Sequence, residues 1–172
     1  MNPVTRRNNI LAILKTADQP MAGSELAARL SVSRQIIVQD ISLLRAGGEQ
    51  ILATPQGYLL LEALTTTPYR KTFATCHTFE EMLQELEIIV DAGGRVLDVI
   101  VEHPVYGELR GMLMIGSRRD ITNFINSIKA SNSKPLSALT HGVHLHTVEA
   151  ASEEIFDHIE RGLDRAGLLL KQ

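Results

Sequence analysis

The sequence predicts an α+β protein in two parts, and three observations predict it. The first 60 residues hold three helical patterns followed by two short β-prone runs. A polar, Thr-rich stretch, EALTTTPYRKT, comes next, with Pro68 inside it. Beyond it, helical and strand patterns alternate, which suggests a mainly antiparallel sheet with helices on one face. The expected domains are residues 1–66 and 67–172, with the break in the polar stretch.

Composition bounds what such a chain can be. At 172 residues, 44% hydrophobic and 22% charged, it has the make-up of ordinary globular domains. No stretch approaches the roughly 20 apolar residues that span a bilayer. The apolar start is broken by Lys15 and Asp18, unlike a secretion signal. The single cysteine, Cys76, leaves no internal disulfide, so the cytoplasm is the expected compartment. The net charge of −3 gives no sign of nucleic acid. Residues 1–66 carry six Lys/Arg against five Asp/Glu, and the remainder eleven against fifteen. Any role with nucleic acid must therefore rest on motif geometry rather than bulk charge.

Taken in order, Thr5 is placed to cap a first helix carrying Ile10, Leu11, Ile13 and Leu14, which Asp18-Gln19-Pro20 ends. Ser24 is placed to cap a short second helix, ELAARL. Ser33 is placed to cap a third, RQIIVQDISLLRA, which stops at Gly47-Gly48. Ile37, Ile41 and Leu44 fall at i, i+4 and i+7 on that helix and make one buried stripe. ILATPQGYLLL then places two apolar runs around Pro55-Gln56-Gly57, a hairpin signal. A short helix, a tight turn, a second helix on an apolar stripe and a hairpin together read as a winged helix-turn-helix. The outward residues near the start of the third helix are Ser33, Arg34, Gln35, Val38 and Gln39, and Gln56 stands near the tip of the wing. Arginine and glutamine are the types that bond guanine and adenine edges in pairs, and serine reaches phosphate. A three-helix packing module without DNA is the plainer alternative.

In the second half, Thr78 and Glu81 form a capping box for a helix over 79–92, closed by Gly93-Gly94. RVLDVIVE and ELRGMLMIG read as strands around the turn HPVYG. Ser117 with Asp120 caps RRDITNFINSIKA, SNSKP is loop, GVHLHTVEA alternates as a strand, SEEIFDHIERGLDRAG is a helix, and LLLK suits a last strand.

Three of the six histidines crowd into LTHGVHLHTV. His144 and His146 are two apart, so on a strand they share one face and can meet one ion. His141, before Gly142, belongs to the turn. A metal needs more donors, and His77 with Glu85 is the candidate pair. Eight residues of helix leave an offset of roughly 80°, which lets both converge over the first turns of that helix. Three imidazoles and one carboxylate suit one divalent transition ion, nickel, zinc or iron. By itself, H-x-H on a strand is more often solvated or hydrogen-bonded histidine than a ligand pair. His103, Tyr106 and Glu108 in EHPVYGEL could line a pocket or simply build a turn. Arg118 and Arg119 open a helix, where cations oppose the dipole, and so are candidate anion contacts.

MAGSELAARLSVSRQIIVQDISLLRAGG followed by ILATPQGYLL resembles the winged helix-turn-helix of the biotin-repressor type. With CHTFEEMLQELEIIVDAGGRVLDVIVEHPVYGEL and GVHLHTVEA, nearly the whole chain resembles the bacterial niacin-responsive transcriptional repressors, which join that domain to a 3H domain. The resemblance implies a dimeric repressor and no enzyme. It implies His77, Glu85, His144 and His146 at the family's metal positions, and nicotinic acid as the effector that promotes operator binding at genes of niacin uptake and NAD synthesis. Effector contacts are expected among His103, Tyr106, Glu108 and Arg118. Two rivals stay open on the residues alone. One is a sensor whose effector is the ion itself, and the other a metallohydrolase with Glu81 as base.

Overall fold

The computed structural model describes residues 2–61 and 69–171. The chain divides into two compact units, residues 1–66 and 67–172. The expected break between 66 and 67 lies outside the described residues.

The first unit runs α1 (Pro3–Lys15), α2 (Gly23–Leu30), α3 (Arg34–Ala46), β1 (Ile51–Thr54) and β2 (Gly57–Leu60). Two of its three helices start where a side chain accepts from the first free N–H groups. For α1 that residue is Asn2, whose side chain accepts from the Val4 and Thr5 amides, with Pro3 at the first helical position. The expected cap at Thr5 is therefore already inside the helix. For α2, Ala22 stands at the N-cap without a side-chain bond, and Ser24 is also interior. For α3 the expectation holds, because the Ser33 side chain accepts from the Ile36 amide. Ile37 and Ile41 are buried with Ile10, Leu14, Leu26 and Ile51, while Leu44 packs only partly against that core. A further clasp joins α1 to α3. Arg6 donates to both carboxylate oxygens of buried Asp40 at 2.5 and 3.2 Å. The β1–β2 hairpin turns at Pro55-Gln56, as the sequence predicts. Its Gly57 has φ +142°, and a Cβ there would lie 2.1 Å from the Met21 carbonyl oxygen, so the wing is seated on the segment before α2.

The second unit runs β3 (Tyr69–Cys76), α4 (Met82–Asp91), β4 (Arg95–His103), β5 (Gly107–Ile115), α5 (Arg118–Ser131), a 3-10 turn (Leu136–Thr140), β6 (Val143–Ala150) and α6 (Glu153–Arg165). The four strands pair in the order β3-β6-β4-β5, every contact antiparallel. Along β6, His144, His146, Val148 and Ala150 are buried, whereas Val143 and Leu145 are exposed. The buried face carries Phe73, Val96, Val148 and Ile115 into one core with Leu86 and Ile89 of α4, Ile121 of α5, and Phe156, Ile159 and Leu163 of α6. The sheet thus has its helices on the face where the two histidines of β6 point.

Three details differ from expectation. Helix α4 starts three residues late, at Met82. Glu81 accepts from the Thr78 amide as a capping box requires, but the Thr78 hydroxyl also donates to Glu81 instead of accepting from the helix. The 3-10 turn after Pro135 was not foreseen. LLLK forms no strand, because Leu169 makes only an isolated bridge to Thr75, with the Cys76 and Leu170 amides bonded across.

Ile37 is fully buried on the inner side of α3. Ile37→Ala should cost about 2–5 kcal/mol through lost contacts and the cavity left behind. The expected result is a lower urea midpoint by far-UV circular dichroism, and an unchanged midpoint would contradict this packing.

Candidate metal centre

Three elements supply the site. His77 follows the last residue of β3, Glu85 lies in the first turn of α4, and His144 and His146 stand two apart on β6. The order of the sheet makes this possible, since β3 and β6 are paired neighbours with Thr75 opposite His144 and Phe73 opposite His146. Period-two alternation does the rest, turning both β6 imidazoles under α4.

The geometry is narrow. Glu85 Oε2 lies 2.6 Å from His77 Nε2, 3.2 Å from His144 Nε2 and 3.3 Å from His146 Nε2. None of the four side chains is more than 4% exposed. Ligand atoms of His77, Glu85 and His144 all lie within 4.8 Å of one another, and His146 joins through its approach to Glu85. The rings of His77 and His144, and those of His144 and His146, meet edge to face with centroids 4.7 and 4.8 Å apart.

The second nitrogen of each ring fixes its tautomer. Nδ1 of His77 faces the Thr78 carbonyl at 2.7 Å, Nδ1 of His144 faces Gly142 at 2.8 Å, and Nδ1 of His146 faces Asp98 at 2.6 Å. A carbonyl only accepts, so all three Nδ1 atoms carry the proton and donate. In neutral rings, three Nε2 lone pairs then point at a carboxylate oxygen. Acceptors facing acceptors in a buried space repel one another unless a cation sits among them. The Thr75 hydroxyl, 3.1 Å from His144 Nε2, can donate to only one of them. Glu85 Oε1 is buried with no partner at all. Backbone carbonyls holding Nδ1–H are also the usual support of metal-ligating histidine. The donor set therefore fits a borderline divalent ion.

Without metal, protons must do the same work. Burial alone would lower the pKa values of His77 and His146, but the Glu85 carboxylate outweighs it and raises both above the ordinary 6.5. Burial would raise Glu85, yet the three imidazoles hold it well below 4.5.

Gly142 was missed as part of the site. Its φ is +94°, and a Cβ there would lie 2.4 Å from the His77 carbonyl oxygen. Its own carbonyl accepts from His144 Nδ1–H and from the His77 amide. The one available signal was a glycine directly before the alternating histidines. His141 sits in the turn as expected, left-handed at φ +53°.

The other candidates are dispersed. Ser33, Arg34, Gln35, Val38 and Gln39 are all exposed along α3. Gln56 is half-buried, with both amide atoms of its side chain buried and unpartnered. His103 accepts from the Val105 and Tyr106 amides and lies against the Tyr106 ring, so it builds the β4–β5 turn. Glu108 pairs with Arg110. Arg118 is engaged by Glu87 and Asp91, whose carboxylates already supply the anion.

The family model for the 3H domain matches residues 70–172, and one for an HTH domain matches residues 6–59. A probable transcription repressor NiaR of Thermotoga maritima is 44% identical over 167 residues, covering 97% of this chain and 94% of that protein. The transcription repressor NadR of Bacillus subtilis is 44% identical over 168 residues, covering 96% and 93%. Relatives named as repressors agree with the expectation of a regulator rather than an enzyme.

Metal-free protein gives a pH test. The two histidines with raised pKa values stabilise the fold fully below about 6.5, and that contribution is lost as pH rises through their folded values. Glu85 contributes above about 4.5 and fails only as pH falls through its depressed value. Stripped protein should thus melt at progressively lower temperature from mildly acidic to alkaline pH. Added zinc or nickel should abolish that trend by binding the neutral rings. Parallel melting curves in both states would argue against the cluster. With family models matching both halves and two relatives 44% identical over nearly its full length, the chain belongs to the 3H-domain family, with an HTH domain at its N-terminal side.

Proposed function

We propose that this protein is a metal-containing transcriptional repressor that binds operator DNA through α3 and the wing when nicotinic acid occupies its C-terminal domain. The observation that carries the metal is the convergence of three Nε2 lone pairs on one buried carboxylate oxygen. His77, Glu85, His144 and His146 would hold one divalent ion of nickel, zinc or iron. When bound, that ion supplies a fixed positive charge that ties β3, α4 and β6 together. The exposed row on α3 supports the DNA reading, with Arg34 and the glutamines facing base edges and Ser33 a phosphate. As a homodimer in the cytoplasm, the protein would read a pseudo-palindrome with paired α3 helices. Nicotinate then represses genes of niacin uptake and NAD synthesis by binding the DNA-competent arrangement better than the other, since equal affinity shifts nothing.

A second reading, in which the ion alone is the effector, is favoured by the burial of all four ligand side chains. A hydrolytic role is weaker, because Glu81, its candidate base, is committed to the Thr78 amide and hydroxyl.

Fluorescence anisotropy with promoter DNA separates the first two. At saturating metal, nicotinate should tighten binding, and no change on adding it would leave the ion as sole effector. Arg34→Ala should weaken specific binding by about 1–3 kcal/mol if it reads a base. An unchanged affinity would remove it from the interface. His144→Ala with His146→Ala should abolish metal by elemental analysis, and equal content in both proteins would end the metal proposal.

A further inference from the structure

Strand β4 reads RVLDVIVEH, an apolar run broken in its middle by Asp98, and the sheet loses register at the same place. From Val96 to Ile100, β4 advances four residues while β6 advances three, from Val148 to Leu145. On its other edge, from Val96 to Asp98, β4 advances two residues while β5 advances three, from Ile115 to Met112. The excess on β5 includes Met114, which is buried with a left-handed φ of +55°. Bulges of this kind bend a strand and re-aim its side chains, and they gather beside functional sites. Asp98 is 2% exposed, on a strand with neighbours along both edges. A buried carboxylate is costly unless it is paired and hydrogen-bonded. Its partners show what it holds. Oδ1 accepts from the Thr147 amide at 3.0 Å, and Oδ2 accepts from Arg110 of β5 at 2.8 Å. The main-chain carbonyl accepts from His146 Nδ1–H at 2.6 Å. One residue thus grips His146 both by its ring and by the peptide that follows it.

We infer that Asp98 is a positioning residue of the metal centre, whose carboxylate, anchored by Arg110, keeps the bulge in the shape that aims His146 at Glu85. The inference rests on the metal reading above. His146 is the donor that most needs such help. Its Nε2 lies 3.3 Å from Glu85 Oε2, the longest of the three approaches, and it stands outside the trio gathered within 4.8 Å. At the bulge the Asp98 carbonyl is given to the imidazole, and the carboxylate supplies the acceptor for the Thr147 amide instead. Without that carboxylate, the amide and His146 Nδ1–H compete for one carbonyl. The strand then recovers its lost bond by moving back toward regular register, which draws the carbonyl off the ring. Loss of a group that orients a ligating histidine through its far nitrogen weakens metal by about 10–100-fold. Arg110 is half-exposed, so the anchor of this buried ring reaches the protein surface.

The test titrates the stripped full chain with cobalt(II) against a chromogenic chelator, as wild type, Asp98→Ala, Asp98→Asn and Leu163→Ala. Asparagine keeps an oxygen for the Thr147 amide, so Asp98→Asn should bind cobalt within about threefold of wild type. Alanine leaves that amide without its acceptor. Asp98→Ala should bind tenfold or more weakly, with the ligand-field bands of the saturated protein displaced. Leu163→Ala opens a cavity in the fully buried core of α6 and calibrates plain loss of stability. It should lower the melting temperature while leaving the cobalt bands where they are. Should Asp98→Ala not fold, Arg110→Met at its half-exposed position decides, with weaker cobalt binding and displaced bands expected. Wild-type affinity and bands in Asp98→Ala, or in Arg110→Met where it stands in, would overturn the inference while leaving the metal reading intact. So would an Asn variant as weak as the Ala one, since charge rather than the acceptor would then be at work. Failure of the wild type to take up cobalt at all would overturn the metal reading itself.

Discussion

A carboxylate buried among three imidazoles is the constraint on which the 3H domain depends. Glu85 is fully enclosed in α4, yet its oxygen is approached by rings from two strands. An isolated anion in that position would be heavily penalised by desolvation. Here it is tolerable because each ring is oriented by a carbonyl at its far nitrogen, and because a cation, protonic or metallic, completes the group. The helix cannot shift along the sheet without separating charge from partner. The surrounding core of Leu86, Ile89, Phe73 and Val148 fixes the distance, and the polar cluster fixes the register.

The DNA-binding unit is built around a comparable but simpler device. Asp40 is buried on α3 and clasped by Arg6 of α1, with Arg7 3.7 Å away. Hydrophobic contacts through Ile37 and Ile41 hold α3 in place but are not directional. The paired bonds from a guanidinium are directional, so they set the rotation of α3 about its axis. That rotation decides which residues face outward, and Ser33, Arg34, Gln35, Val38 and Gln39 are all exposed as a result.

Much of this was legible because the signals were local. Ser33 caps α3 through a bond three residues away, and the β6 histidines share a face because alternation is a property of any strand. The pairing of His77 with Glu85 was expected from a helical offset, yet His77 follows β3 and α4 starts only at Met82, so a non-helical connection and not a helix face brings the two together. What remained hidden depended on distant partners. Arg118 reads as a free cation at a helix start until Glu87 and Asp91, on another helix, come into view. Thr5 and Ser24 looked like caps because serine and threonine favour such positions, but Pro3 had already set the start of α1 and Ala22 began α2 without one. The 3-10 turn at Leu136 and the role of Gly142 follow from a backbone approach to His77 that no periodicity encodes.

The place of β6 in the sheet has a kinetic side. It is an inner strand, hydrogen-bonded to β3 on one edge and β4 on the other, and it carries two of the four donors. Side-chain rotation alone cannot free His144 or His146, because each ring is packed and pinned at its far nitrogen. Release of a bound ion would need the strand itself to loosen, an event on the timescale of local unfolding rather than of rotamer hops. Metal held there would exchange slowly and act as a lasting part of the architecture.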